Sequence, residues 1–179
     1  MAETTKVLVH GNPETSAIWD LLVDELQRGG VAKIVRLSPP GFGSPTPAGW
    51  GATVVEYRDW LIGELEKIDG EIDLVAHDWG AGHVFNALAA RPNLVRSWAA
   101  DCVGLMHPDY EWHTNAKEWQ TPDVGEKAVA GMVAISESDF VAFFSSLGMT
   151  ADIARQVKRG INDEMARSIL VLYRDAVQP

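Results

Sequence analysis

Four short apolar runs, separated by helical patterns and each closed by a glycine, proline or aspartate, constrain this chain more than any other feature. They are residues 7–10, 34–37, 74–76 and 95–100, ending at Gly11, Pro39-Pro40-Gly41, His77-Asp78 and Asp101. Runs this short and unbroken suit strands covered on both faces. Between the first two, Thr15 or Ser16 can cap a helix carrying Ile18, Trp19, Leu22 and Leu26, which Gly29-Gly30 stops. Val54, Tyr57, Leu61, Leu65 and Ile68 then recur on one helical face up to Asp69-Gly70, and residues 80–90 form a small-residue helix closed by Pro92. Strand and helix alternating through short loops predict an α/β fold with a parallel sheet and right-handed crossovers.

After about residue 104 the pattern changes, and no further run reads as a strand. Thr121-Pro122 is expected to start one helix. Ser136 with Asp139 resembles a capping box ahead of Phe140, Phe143, Phe144 and Leu147, and Asn162 is placed to cap a last helix carrying Met165, Ile169, Leu172 and Tyr173. The expected division is therefore a sheet-bearing core over residues 1–104 and a helical cap over residues 105–179.

Composition excludes several partners. A formal charge of −10 and the lack of any lysine/arginine cluster argue against nucleic acid or an anionic membrane surface. No apolar run approaches the roughly 20 residues that span a bilayer. The first residues carry no basic, apolar leader pattern, and one cysteine, Cys102, leaves no internal disulfide, so a cytoplasmic location is expected. Cys102 lies in an apolar stretch and is expected to be a small buried hydrophobe. Seven tryptophans are many for 179 residues and point to an aromatic-lined cavity. No histidine–carboxylate cluster at metal spacing appears, so neither metal nor cofactor is expected.

Chemistry in a parallel α/β sheet belongs at the carboxyl ends of its strands. Three segments fall there: His10-Gly11-Asn12-Pro13, Pro40-Gly41-Phe42-Gly43-Ser44 and Ala76-His77-Asp78-Trp79-Gly80. The last has the small–x–nucleophile–x–small form of a nucleophile elbow, with Asp78 where a serine often stands. So sharp a strand-to-helix turn requires small residues at 76 and 80, and raises the central side chain beside a helix N-terminus that favours an anion. Taken alone, an aspartate here is as readily the cap of the following helix; the two neighbouring segments decide between the readings.

Jointly, over residues 5–110, these segments resemble the haloalkane dehalogenase and epoxide hydrolase branch of the α/β-hydrolase superfamily, with the later helices similar in kind to its cap. The resemblance implies that Asp78 attacks a carbon bearing a leaving group and forms an alkyl–enzyme ester, on a small, largely apolar haloalkane or epoxide. It implies that the backbone N–H groups of Asn12 and Trp79 form the oxyanion hole, and that both side chains grip a departing halide. Epoxide hydrolases of this pattern use two cap tyrosines instead, for which Tyr110 and Tyr173 are the candidates. His10, Tyr110 and Tyr173 are expected at the substrate pocket, and Asp101 is a candidate for the acid of the catalytic set.

The same resemblance implies a general-base histidine beyond the cap, and no histidine follows His113. His77 is expected to point away from Asp78 by strand alternation. His83 has an unfavourable helical bearing, and although His107 and His113 enter the cap and could reach the pocket, the base is expected to be absent from this chain. A four-stranded sheet would also leave an edge open. Three expectations follow: a fragment, a truncated product that pairs with itself, or a subunit completed by a second chain. A non-catalytic partner module therefore stands beside the hydrolase reading.

Overall fold

In the computed structural model, which describes residues 4–102, 104 and 107–177, the four apolar runs form one parallel sheet. Its strands are β1 (Thr5–Val9), β2 (Ile34–Leu37), β3 (Ile72–Ala76) and β4 (Ser97–Ala100), in the order β2-β1-β3-β4. Val9 lies beside Leu37 on one side and Ala76 on the other. The central strands therefore finish level, and the loops that follow them meet above one sheet edge.

Alternation along β1 distributes its side chains to both faces. Val7 and Val9 pack with Leu74 and Ala76 against Leu61 and Leu65 of α2 (Val54–Leu65) and Ala81 and Val84 of α3 (Trp79–Ala90). Leu8 points the other way, onto Trp19 of the short 3-10 turn Ser16–Trp19 and Val23 of α1 (Asp20–Arg28). Full burial of a Val or Leu side chain contributes roughly 1.5–3 kcal/mol, so β1 is the anchor of the layer.

Strand β4 departs from expectation. Residues 97–99 are exposed, and nothing among the described residues covers its outer edge. The run expected to be sheltered on both faces is instead an open edge, where Trp98 keeps a ring contact with Phe85 at 5.9 Å. Cys102 is corrected for the same reason: it is exposed, not buried. What burial its thiol has, together with the neighbouring Asp101 charge, pushes it up to about 11, so it stays protonated at neutral pH and is a poor nucleophile.

Beyond the sheet come α4 (Thr114–Gln120), α5 (Val124–Ala134), α6 (Glu137–Ser146), α7 (Ala151–Gly160) and α8 (Asp163–Asp175), with no strand among the described residues. Ser136 accepts the Asp139 N–H and Asn162 that of Met165, as their sequence positions imply. The helix expected from Thr121-Pro122 begins later, at Val124, because the Thr121 hydroxyl donates to the Lys117 carbonyl and closes α4. Neither α4 nor α7 stands out in the sequence, since α4 is short and α7 buries only Ile153, Ala154 and Val157. The expected boundary after Gly104 abuts Leu105, which lies outside the described residues. No single described helix is long and apolar enough to cross a membrane; α5 with α6 reaches that length and composition only across a 100° bend.

Helix α2 is entered through a reciprocal cap. Thr53 accepts the Glu56 N–H, while the Glu56 carboxylate accepts the Thr53 N–H at 3.0 Å and its hydroxyl at 2.7 Å. Replacing Thr53 by Ala should cost about 1 kcal/mol, seen as a lower urea midpoint with an unchanged slope.

Candidate active site

At the end of β3 the chain turns abruptly into α3, and Asp78 sits at the apex with φ +52° and ψ −126°. This backbone region is costly for any residue with a Cβ. It persists because its surroundings leave no alternative. The His77 N–H donates to the Val9 carbonyl at 3.0 Å, and the Gly80 N–H to that of His77 at 2.9 Å. A Cβ on Gly80 would strike the Val9 carbonyl, and one on Gly11 would strike the Asp78 carboxylate and the Trp79 nitrogen. The smallness required at position 80 is thus a contact with the neighbouring strand.

The Asp78 carboxylate faces back over β1. Its Oδ1 accepts the Asn12 N–H at 2.9 Å, and the Trp79 N–H is a second backbone donor to it. Burial raises the carboxyl above its ordinary value, and these two donors only partly offset that. Above it opens a cavity of about 640 Å³, lined by Asp78, Asn12, Trp119, Phe140, Phe144 and Tyr173 among others. The Asn12 side chain is buried at this wall with neither its oxygen nor its nitrogen hydrogen-bonded. An unpaired buried amide is costly, so Asn12 holds two polar groups ready for a bound molecule.

Three of the seven tryptophans, Trp79, Trp112 and Trp119, gather around Tyr173, whereas Trp19, Trp50, Trp60 and Trp98 have other surroundings. Tyr173 lies edge-on to Trp79 at 5.3 Å and to Trp119 at 4.8 Å, while Trp112 stacks on Trp79 at 6.0 Å and meets Tyr110 at 5.2 Å. Burial, then the Asp78 charge, holds the Tyr173 hydroxyl far above its ordinary value despite a lowering hydrogen bond with the Trp79 side chain. Burial, and with it the Asp78 charge, also raises Tyr110. Tyr110 lines a second cavity of about 600 Å³ with Trp79, His107 and Trp112. Trp79 lines this second cavity and is not among the residues lining the one over Asp78, and its side chain hydrogen-bonds that of Tyr173.

The remaining candidates are placed differently. His10 is fully buried and donates its Nδ1–H to the Gly11 carbonyl at 2.9 Å. It braces the loop and does not line the cavity over Asp78, contrary to its expected place in the pocket. His83 stacks on Tyr57 at 4.6 Å inside the core, where burial lowers it to about 3. His113 does line the Asp78 cavity, although its Nδ1 accepts the Ala116 N–H. Asp101 accepts the Asp78 N–H at 2.9 Å and the His77 Nδ1–H at 2.5 Å. Glu14, which nothing in the sequence marks out, approaches the other nitrogen of His77 at 3.4 Å. Among the described residues no three His, Cys, Asp or Glu side chains converge to hold a metal ion.

A parallel sheet, a strained strand-to-helix elbow with an acidic apex and an adjoining glycine loop define the core of a hydrolase-type α/β protein. The sequence matches the model of the alpha/beta hydrolase family over residues 7–173, and the chain belongs to that family. No curated protein matched significantly. Among solved structures it is similar to a delta mutant of DbjA (23% identity, TM-score 0.70, covering 98% of this chain and 63% of that one). Others are haloalkane dehalogenase DbeA from Bradyrhizobium elkani (19%, TM-score 0.61, 95% and 68%) and an epoxide hydrolase of Bacillus megaterium bound to an inhibitor (18%, TM-score 0.70, 98% and 66%). The chain thus spans about two thirds of the length of the structures it resembles.

Because folding raises the Asp78 carboxyl, the folded state prefers the proton; the cost sets in as pH rises past the unfolded-state value and is complete above the folded-state value. Asp78→Asn should therefore stabilise the protein at pH 7 by roughly 1–3 kcal/mol, the desolvation cost of a buried polar group. The gain should shrink as pH is lowered and Asp78 takes up its proton. Urea unfolding of both proteins between pH 4 and pH 8 measures this.

Proposed function

We propose that this chain carries the nucleophilic half of an α/β-hydrolase that works through an aspartyl ester at Asp78. The observation that carries the reading is the buried Asp78 carboxylate, held by backbone donors at the apex of the elbow and facing an apolar cavity. A carboxylate oxygen would attack a saturated carbon in that cavity. As the new C–O bond forms, the C–halogen bond breaks and halide leaves with the electron pair. Asn12 offers its unpaired amide to a weakly hydrated anion in that cavity, and the Trp79 indole N–H would join it only by leaving Tyr173 and turning from the neighbouring cavity. Their backbone N–H groups would then stabilise the oxyanion when water attacks the ester.

Tyr173 favours a second substrate class, since it lies on the same cavity wall as Asp78. In an epoxide the breaking bond leaves an alkoxide, which requires a proton that a tyrosine hydroxyl can supply. The unpaired Asn12 amide weighs towards halide. In either case no cofactor or metal is involved.

Ester hydrolysis needs a positioned base, typically about 10² to 10⁴-fold in rate. His113 is the described histidine on the cavity wall, and its Nδ1 is engaged as a helix cap. The open edge of β4 supports a further element of the proposal: a second chain or a second copy adds to the sheet there. A non-catalytic partner module, the competing reading, would show neither of the reactions below.

Incubation with a bromoalkane or, separately, a styrene-type epoxide should leave a mass adduct on Asp78 and none on Asp78→Asn. Halide release from the isolated chain should stop after about one equivalent. Asn12→Ala should slow that burst by about 10 to 100-fold, the effect of losing one hydrogen bond to a charged group. A folded protein that no such reagent labels would refute the nucleophile assignment, and sustained turnover would show that a base is already present.

A further inference from the structure

The contacts around the elbow form a closed ring that begins and ends at Asp78. Its carboxylate accepts the Asn12 N–H, and two residues further along the same loop Glu14 reaches His77 Nε2 at 3.4 Å. The Nδ1–H of His77 donates to Asp101 at 2.5 Å, and the other oxygen of Asp101 accepts the Asp78 N–H at 2.9 Å. The ring joins the loop after β1, the elbow after β3 and the end of β4. These three segments are far apart in sequence, and within the ring His77 alone touches both flanking carboxylates.

We infer that His77 is a positioning residue for Asp78: by bridging Glu14 to Asp101 it locks the oxyanion loop and the end of β4 against the strained elbow. The inference rests on the proposal that Asp78 is the nucleophile. His77 does not meet substrate itself, because it lines the two shallower cavities around Trp19, whereas Asp78 lines the aromatic one. Nor can it serve as the base there while both its nitrogens are turned to carboxylates.

The bridge works as a cation between two anions. Glu14 first, and Asp101 with it, raise His77 to about 9 against the lowering effect of burial. The titratable groups facing it are Glu14, Asp101, Asp78 and, from the end of β1, His10. The turn between α6 and α7 brings Gly148, Met149 and Thr150, which carry no charge. Burial would raise Asp101, but its bonds from His77 and the Asp78 N–H outweigh this and keep it an anion. The ring is therefore complete below about pH 9 and loosens as His77 loses its proton.

The test is the rate of Asp78 alkylation by a bromoalkane, followed by mass spectrometry from pH 6 to pH 10 in wild type, His77→Gln and Glu14→Gln, with hydrogen exchange of the Asp78 N–H read on the same proteins. In wild type the rate should rise as Asp78 ionises and fall above about pH 9. At pH 7 His77→Gln should alkylate about 10-fold more slowly and exchange the Asp78 N–H about 10-fold faster, from loss of a charge-assisted bond. Its rate should show no fall near pH 9. Glu14→Gln, which keeps the side-chain size, should move that fall to lower pH. Wild-type rate, profile and exchange in His77→Gln would overturn the inference. Should His77→Gln fail to fold, a Glu14→Gln profile identical to wild type would overturn it. Wild type that is never labelled would sink the nucleophile assignment instead, and the exchange rates would then decide the ring alone.

Discussion

The backbone of Asp78, forced to a positive φ, is the constraint on which the rest of the site depends. An L-residue enters this region only when surrounding packing over-determines it, at a cost of order 1–3 kcal/mol. Here the stabilising contacts come from β1. The Val9 carbonyl receives the His77 N–H and leaves no room for a side chain at Gly80, and Gly11 lets the carboxylate come down onto the loop. Full burial of Val7, Leu8 and Val9 between two helical layers anchors this platform. The core layer is thus what keeps one carboxylate in a strained, raised position.

That carboxylate is then placed where solvation is poor. Two backbone N–H groups meet it, too few to cancel its burial, so its proton affinity rises. A carboxylate incompletely satisfied by the protein is more reactive than one held in a salt bridge, as Asp73 is between Lys6 and Arg96. The contrast between the two aspartates is set by neighbours and not by residue type: cations surround Asp73 and lower it well below the usual carboxylate range, whereas at Asp78 burial outweighs two backbone donors and the His77 charge. The strain and the desolvation are both unfavourable to folding, a combination often met at functional sites.

The outer edge of β4 is the other physical feature that shapes this molecule. A parallel strand is ordinarily sheltered on both faces, and here exposed Trp98 and unpaired backbone remain at the edge. Asp101 follows that same strand and accepts the Asp78 N–H, so one side chain stands between the β4 edge and the elbow.

Much of this was legible in the residue order. Local rules sufficed for the four strands, for the caps at Ser136 and Asn162, and for the elbow, because each depends on neighbours within a few positions. Small residues at 76 and 80 around Asp78 suggested the turn, and the two neighbouring loop segments decided the reading. Other features required the folded chain. Cys102 reads as buried until β4 proves to be an uncovered edge, and α4 and α7 are too short or too narrowly apolar to stand out before they pack. His10 belongs to a motif that suggests a pocket, yet the loop closes over it. Nothing near Glu14 in sequence marks it, since its partner lies 63 positions away and was brought to it only by the parallel register of β1 and β3. Sequence by itself determined which elements form and where the chain turns, because those are short-range consequences of periodicity and steric size. Tertiary structure alone decided which charges face each other and which are stripped of water, because both depend on what distant strands bring together.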